Sequence, residues 1–144
     1  MEILIKRIHQ DAKIPEYQTP GSAGFDLHAV DSLVILPHQS GVVKTGLSLE
    51  LEEGYELQIR PRSGLALKHG ISVLNSPGTI DSDYRGEIMI ILINHSDSLF
   101  EIKKGDRIAQ GVVARYEKVS FRLSDTLGQT SRSDKGFGST GIEG

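Results

Sequence analysis

At 144 residues the chain has the length of one domain with a real core and is too short for two comfortable ones. Its formal net charge of −3 argues against a nucleic-acid coat or an anionic membrane surface as the main partner, so phosphate binding must come from a local cluster of donors. The lack of cysteine excludes disulfides and thiolate metal sites, and the N-terminus shows neither a leader pattern nor a long apolar run, so a soluble cytoplasmic protein is expected.

MEILIKRIHQ places Ile3 and Ile5 on one face and predicts a first strand, ended by the Pro and Gly between Pro15 and Gly21. AGFDLHAV, residues 23–30, predicts a second. Leu33 to Leu36 is a short apolar run stopped by Pro37. Val43, Thr45, Leu47, Leu49 and Leu51 then repeat at period two as far as a Glu-Glu-Gly turn, and Tyr55, Leu57 and Ile59 alternate with Glu56, Gln58 and Arg60 as a half-exposed strand should. Ser63 to His69 is the one short helical stretch, supported by Leu65, Ala66, Leu67 and Lys68.

Gly78 to Ile88, GTIDSDYRGEI, carries two carboxylates two residues apart. On a strand Asp81 and Asp83 would share one face and look into the same space; a solvated turn is the ordinary alternative for such a cluster. The run IMIILI from Ile88 to Ile93 has no polar side and predicts a strand buried on both faces, the second covered by another subunit. Turn residues at Asn94–Ser98 and Lys103–Asp106 bracket a further strand, and a long last one runs from about Arg107 to Tyr116. Many short strands with Gly-rich turns predict an all-β fold, a sandwich or barrel of the jelly-roll kind.

From Ser124 to Gly144 more than half the residues are Gly, Ser or Thr, and the large apolar ones are Leu127, Phe137 and Ile142. Such a segment buries too little surface to offset its ordering entropy and is expected to be mobile. RSDKGFGSTG nevertheless combines cations, an aromatic and backbone freed by Gly136 and Gly138, as a lid over an anion would. The histidines, His9, His28, His38, His69 and His95, show no ligand spacing and are read as surface or packing residues.

Five blocks, AGFDL at 23–27, PRSGLA at 61–66, NSPGTIDSDYRGE at 75–87, GDRIAQ at 105–110 and RSDKGFGSTG at 132–141, occur in an order that resembles the trimeric dUTPase family. One position departs, since the family's tail block usually has Gly where this chain has Ser133. The resemblance implies a jelly-roll-like β-barrel over residues 1–123, with residues 124–144 an arm that closes over the active site. It also implies hydrolysis of dUTP to dUMP and pyrophosphate, which keeps uracil out of DNA and supplies dUMP for thymidylate synthesis.

Under this resemblance Asp81 orients and deprotonates the attacking water. Asp83 takes a turn-stabilising or interface part. Ile71 to Tyr84 forms a hairpin whose Asn75 amide and main chain at Gly78, Thr79 and Ile80 pair with uracil. Cytosine would leave buried groups unpaired at a cost of roughly 1–3 kcal/mol each, and a 5-methyl group would clash. Tyr84 packs under the deoxyribose and excludes a 2′-hydroxyl, and Met89 touches the nucleotide. Arg62, Ser63, the Gly64 amide and Gln110 bind the triphosphate, Arg132 clamps its end, and Phe137, followed by Gly138, stacks on uracil.

Magnesium is expected on the substrate phosphates and water, with Asp26 reaching no further than its hydration shell. The partners implied are dUTP and two further copies of the chain, each trimer holding composite sites, with no nucleic acid or membrane. Two alternatives stay open: a dCTP deaminase or bifunctional deaminase and diphosphatase on a similar fold, and a catalytically inactive nucleotide-binding trimer.

Overall fold

The computed structural model describes residues 2–136. Eleven strands and one helix follow in order: β1 (Leu4–Arg7), β2 (Phe25–His28), β3 (Leu33–Ile35), β4 (Ser40–Lys44), β5 (Leu47–Glu50), β6 (Tyr55–Arg60), α1 (Ser63–His69), β7 (Ile71–Val73), β8 (Gly78–Ile80), β9 (Met89–Asn94), β10 (Phe100–Ile102) and β11 (Arg107–Arg115). They form an all-β, jelly-roll-like barrel. Its strands are neighbours across long sequence separations, in sheets ordered β2-β11-β6-β8 and β4-β9-β7 with the pairs β1-β5 and β3-β10, and every pairing is antiparallel.

The core is aliphatic. Leu27, Ile35, Leu57, Ile59, Ile71, Ile88, Ile90, Leu92, Ile102 and Ile108 are fully buried within it. Alternation explains β6, where Leu57 and Ile59 point inward. On its other face Gln58 donates to Glu56 at 2.7 Å and accepts from Arg60 at 2.6 Å, a row of i and i+2 side chains on one side of the pleat. Asn94 is the buried polar exception, and its amide is satisfied by the Ile35 and Ser98 carbonyls and by Ser96, which shapes the 94–98 turn.

Three expectations change. The first strand stops at Arg7 because the chain leaves the ladder there, Ile8 donating to Gly46 O and residues 9–12 closing a turn. The period-two run from Val43 to Leu51 is buried throughout, yet it makes two strands in two different sheets. The break is at Gly46, whose φ of +69° and near contact with His9 and Ala12, where a Cβ would lie 2.8 and 2.9 Å from theirs, admit only glycine.

The expected hairpin over Ile71–Tyr84 is instead a link between sheets, since β7 pairs with β9 and β8 with β6. The IMIILI strand, whose second face is expected to lie against another subunit, leaves that face open in the single chain. Ile88, Ile90 and Leu92 are buried, whereas Met89 and Ile91 are 45% and 36% exposed beside Val42, at 54%, which pairs with Ile91 across β4. After Tyr116 the described chain forms no helix or strand, and its side chains are exposed through residue 136.

Candidate active site

Two groups of the expected residues assemble within one chain, at opposite ends of β6. The first lies where β2, β11 and the start of α1 meet. Asp26 on β2 faces Gln110 on β11, which in turn faces Arg60 on β6. The chain then runs through Pro61 to Arg62, the helix N-cap, in extended backbone with φ −91° and ψ 127°. Gln110 pins this corner by donating from Nε2 to the Pro61 carbonyl at 2.9 Å. No side chain caps the helix, so the amides of Ser63 and Gly64 keep their N–H groups free for a ligand.

Arg62 is aimed by two contacts. Its Nε lies 3.0 Å from Asp26 Oδ1, and its Nη1 donates to the Arg107 carbonyl at 3.1 Å. Arg107 Nη1 stands 3.5 Å from Asp26 Oδ2, so one carboxylate, only 12% exposed, holds two guanidiniums. Burying that carboxylate is costly unless paired; with two cations it leaves a net positive cluster suited to phosphate oxygens. Both oxygens of Asp26 are therefore engaged by arginine. Next to it, burial, ahead of the charge on Lys13, pushes the His28 pKa below the ordinary histidine value, and its Nδ1 is buried without a hydrogen-bond partner.

The second group surrounds a groove of about 310 Å³ lined by Val42, Thr79, Ile80, Asp81, Tyr84, Glu87, Met89 and Ile91. Asn75 lies beside the start of β8, its Nδ2 only 3.3 Å from where a Cβ on Gly78 would sit. β8 ends at Ile80, and residues 81–84 form a tight turn in which Tyr84 N donates to Asp81 O at 3.1 Å. Asp81 and Asp83 do border one cleft, of about 680 Å³ with Glu53, Glu56 and Arg85, but they reach it through this turn and not through a strand pleat. Only Asp81 also faces the Tyr84 groove. Arg85, and not Asp83, ties the turn by donating to the Ser82 and Tyr84 carbonyls at 2.6 and 3.1 Å.

The two groups are far apart within the chain. Ile80 pairs with Leu57, five residues and roughly 16 Å of extended chain before Arg62, and Asp81 lies beyond Ile80 on the side away from Arg62. In the tail, Arg132 donates from Nε to Lys135 O at 3.0 Å within its own turn. Ser133, where glycine is usual in the resembled family, has φ +50°, a left-handed backbone that glycine adopts without strain. The expectations for Phe137 and Gly138 lie outside the described residues. Among the described residues, no group of three or more His, Asp or Glu side chains is placed to hold a metal ion.

A dUTPase family model matches residues 10–141. The chain belongs to the dUTPase family. It is 59% identical over 142 residues to the deoxyuridine 5′-triphosphate nucleotidohydrolase of Helicobacter pylori, covering 99% of this chain and 98% of that one. With the protein of the same name from Wolinella succinogenes it shares 60% over 141 residues, covering 98% and 95%. Among solved structures, the dUTPase of Staphylococcus bacteriophage 80alpha with dUPNHPP superimposes with a TM-score of 0.91 at 25% identity, covering 98% of this chain and 99% of that one.

Against this family frame, three residues of the two clusters were not singled out by sequence reasoning. Arg107 sat inside the quoted GDRIAQ block without a role, because only the β2–β11 pairing brings it to Asp26. Gly86 and Glu87 sat inside a quoted block, yet no spacing rule marks a glutamate whose partner, Gly46, is 41 positions away, or a glycine that a tyrosine ring lies against.

Proposed function

We propose that this dUTPase hydrolyses dUTP to dUMP and pyrophosphate at sites shared between chains, three to a homotrimer. The observation that carries the reading is the groove that unites Thr79, Ile80, Asp81, Tyr84 and Met89, with a carboxylate at its end and an aromatic ring on its wall. Uracil lies along the β8 edge with Asn75 and the main chain of Gly78, Thr79 and Ile80, the deoxyribose rests on Tyr84, and Met89 contacts the nucleotide. Asp81 orients one water and takes its proton as the anhydride bond between the α- and β-phosphoryl groups breaks. Being exposed at a turn, it is free to hold water on the side where the phosphate arrives.

Developing charge on the phosphates is met by Arg62, Ser63, the Gly64 amide and Gln110, with Arg62 fixed by Asp26 and Arg107. These belong to a different copy from the Asp81 that serves the same substrate, which resolves the separation along β6. The outward Val42, Met89 and Ile91 surface supports such packing, since burying it against a copy removes apolar area from water. The arm, residues 124–144, comes from a third copy as a lid over the barrel domain of residues 1–123, with Arg132 on the terminal phosphate and Phe137 and Gly138 at the base.

Magnesium fits as an ion carried by the substrate, because the described residues offer no carboxylate cage and both oxygens of Asp26 are held by arginine. When bound it screens the phosphate charge. No helix among the described residues is long and apolar enough to cross a membrane, and a cytoplasmic setting with dUTP and further copies of the chain as partners completes the reading.

The test is pyrophosphate release from dUTP beside dCTP, dTTP and UTP, with ammonia measured in the dCTP reaction. Rapid release from dUTP alone is expected. Ammonia from dCTP would point to a deaminase, and release from none of them would mark an inactive binding module.

A further inference from the structure

We propose that Glu87 is a specificity-determining positioning residue, one that makes Tyr84 an unyielding wall against ribonucleotides. The inference rests on the dUTP reading above and extends it to a residue that need not touch the substrate. A tyrosine 42% exposed on a groove wall rejects a 2′-hydroxyl only if its ring cannot retreat. Here the retreat is blocked. A Cβ on Gly86 would lie 2.3 Å from the Tyr84 hydroxyl, 2.5 Å from Cζ and 2.9 Å from Cε2, so the end of the ring already lies against the Gly86 backbone. Its hydroxyl donates to the Glu87 carbonyl at 3.0 Å, which stops it from swinging aside.

That wall is as firm as the backbone behind it, and the Glu87 carboxylate is one of the groups that fasten that backbone. Its Oε1 accepts from the Gly46 N–H at 2.9 Å. Gly46 is itself immobilised at the sheet corner by His9 and Ala12. On either side, Ser48 Oγ donates to the Arg85 carbonyl at 2.6 Å, and Thr45 Oγ1 donates to the Ile88 carbonyl at 2.7 Å, while Ile88 N donates to Leu47 O at 2.8 Å. Residues 85–88 are thus sewn to the β4–β5 corner, and the Glu87 carboxylate ties to it the same residue whose carbonyl holds the tyrosine. Loosening that tie lets ring and backbone shift together, which costs dUTP little and admits the larger sugar.

The experiment compares kcat/KM for dUTP and for UTP in the wild type, Glu87→Ala and Glu87→Gln, with melting temperature and oligomer size recorded for each. Glu87→Ala is expected to narrow the dUTP to UTP ratio by about three- to tenfold, the range that one hydrogen bond is worth, mainly through KM for UTP. Glu87→Gln keeps an acceptor for Gly46 N–H and should restore the ratio to within about twofold of wild type. If Glu87→Ala does not fold, Tyr84→Phe, which keeps the ring and cuts the tether to the Glu87 carbonyl, must narrow the ratio instead. Equal losses on both substrates, or a glutamine variant as relaxed as the alanine one, would overturn the proposal. A wild type inactive on dUTP would instead refute the underlying substrate reading.

Discussion

Replacing Asp81 with Asn is expected to lower kcat by at least about 10²-fold while leaving dUTP binding roughly intact, the low end of what a positioned base contributes. Asparagine keeps the size and one acceptor oxygen, so the turn closed by Tyr84 N and Asp81 O, which is main chain to main chain, is untouched. What is lost is a group able to accept the water's proton. Because Asp81 stands at an exposed turn and not in the core, a drop in turnover reports on chemistry and not on folding. Single-turnover rates beside equilibrium binding of a non-hydrolysable dUTP analogue measure both halves of this expectation. Near-wild-type turnover would remove Asp81 from the role of base.

Ending the chain after Ser131 should collapse kcat/KM while melting temperature and oligomer size stay close to those of the full chain. The removed segment adds no described residue to the core, and among the described residues Arg132 bonds only to Lys135 in its own turn. In the proposed reading its ordering entropy is met by the ligand's phosphates, as a lid requires, and not by packing against the barrel. Calorimetry and light scattering on the truncated chain, alongside its kinetics, separate the two outcomes. Loss of the folded oligomer would make the tail structural.

Local chemistry was legible where a rule acts within a few residues. The helix from Ser63 to His69 ends at Gly70, whose φ of +66° and amide bonds to Ala66 O and Leu65 O form the C-cap that such a sequence predicts. Alternation gave β6 its inward Leu57 and Ile59 for the same reason. Features that depend on partners distant in sequence were not legible. The Val43–Leu51 run has one period but two sheets, because Gly46 turns the corner against His9 and Ala12.

Asp81 and Asp83 looked like strand neighbours because nothing in IDSDY announces that β8 ends at Ile80. In the Asp26 cluster, Arg62 and Gln110 were found through their blocks, but the carboxylate that holds Arg62 was assigned only to a metal's hydration shell. Its engagement with Arg107 needs the β2–β11 register to be seen.

The shared site is the centre of the account, and random reassembly of two defective chains tests it. Asp81→Asn and Arg132→Ala chains are mixed in equal amounts, unfolded and refolded together, with light scattering and a distinguishing tag used to verify mixed oligomers. If Asp81 and Arg132 reach a site from different chains, each is intact half the time, and roughly a quarter of sites carry both. Activity near a quarter of the wild type is the predicted result; activity no higher than that of the two parent variants, in verified mixed oligomers, would contradict it.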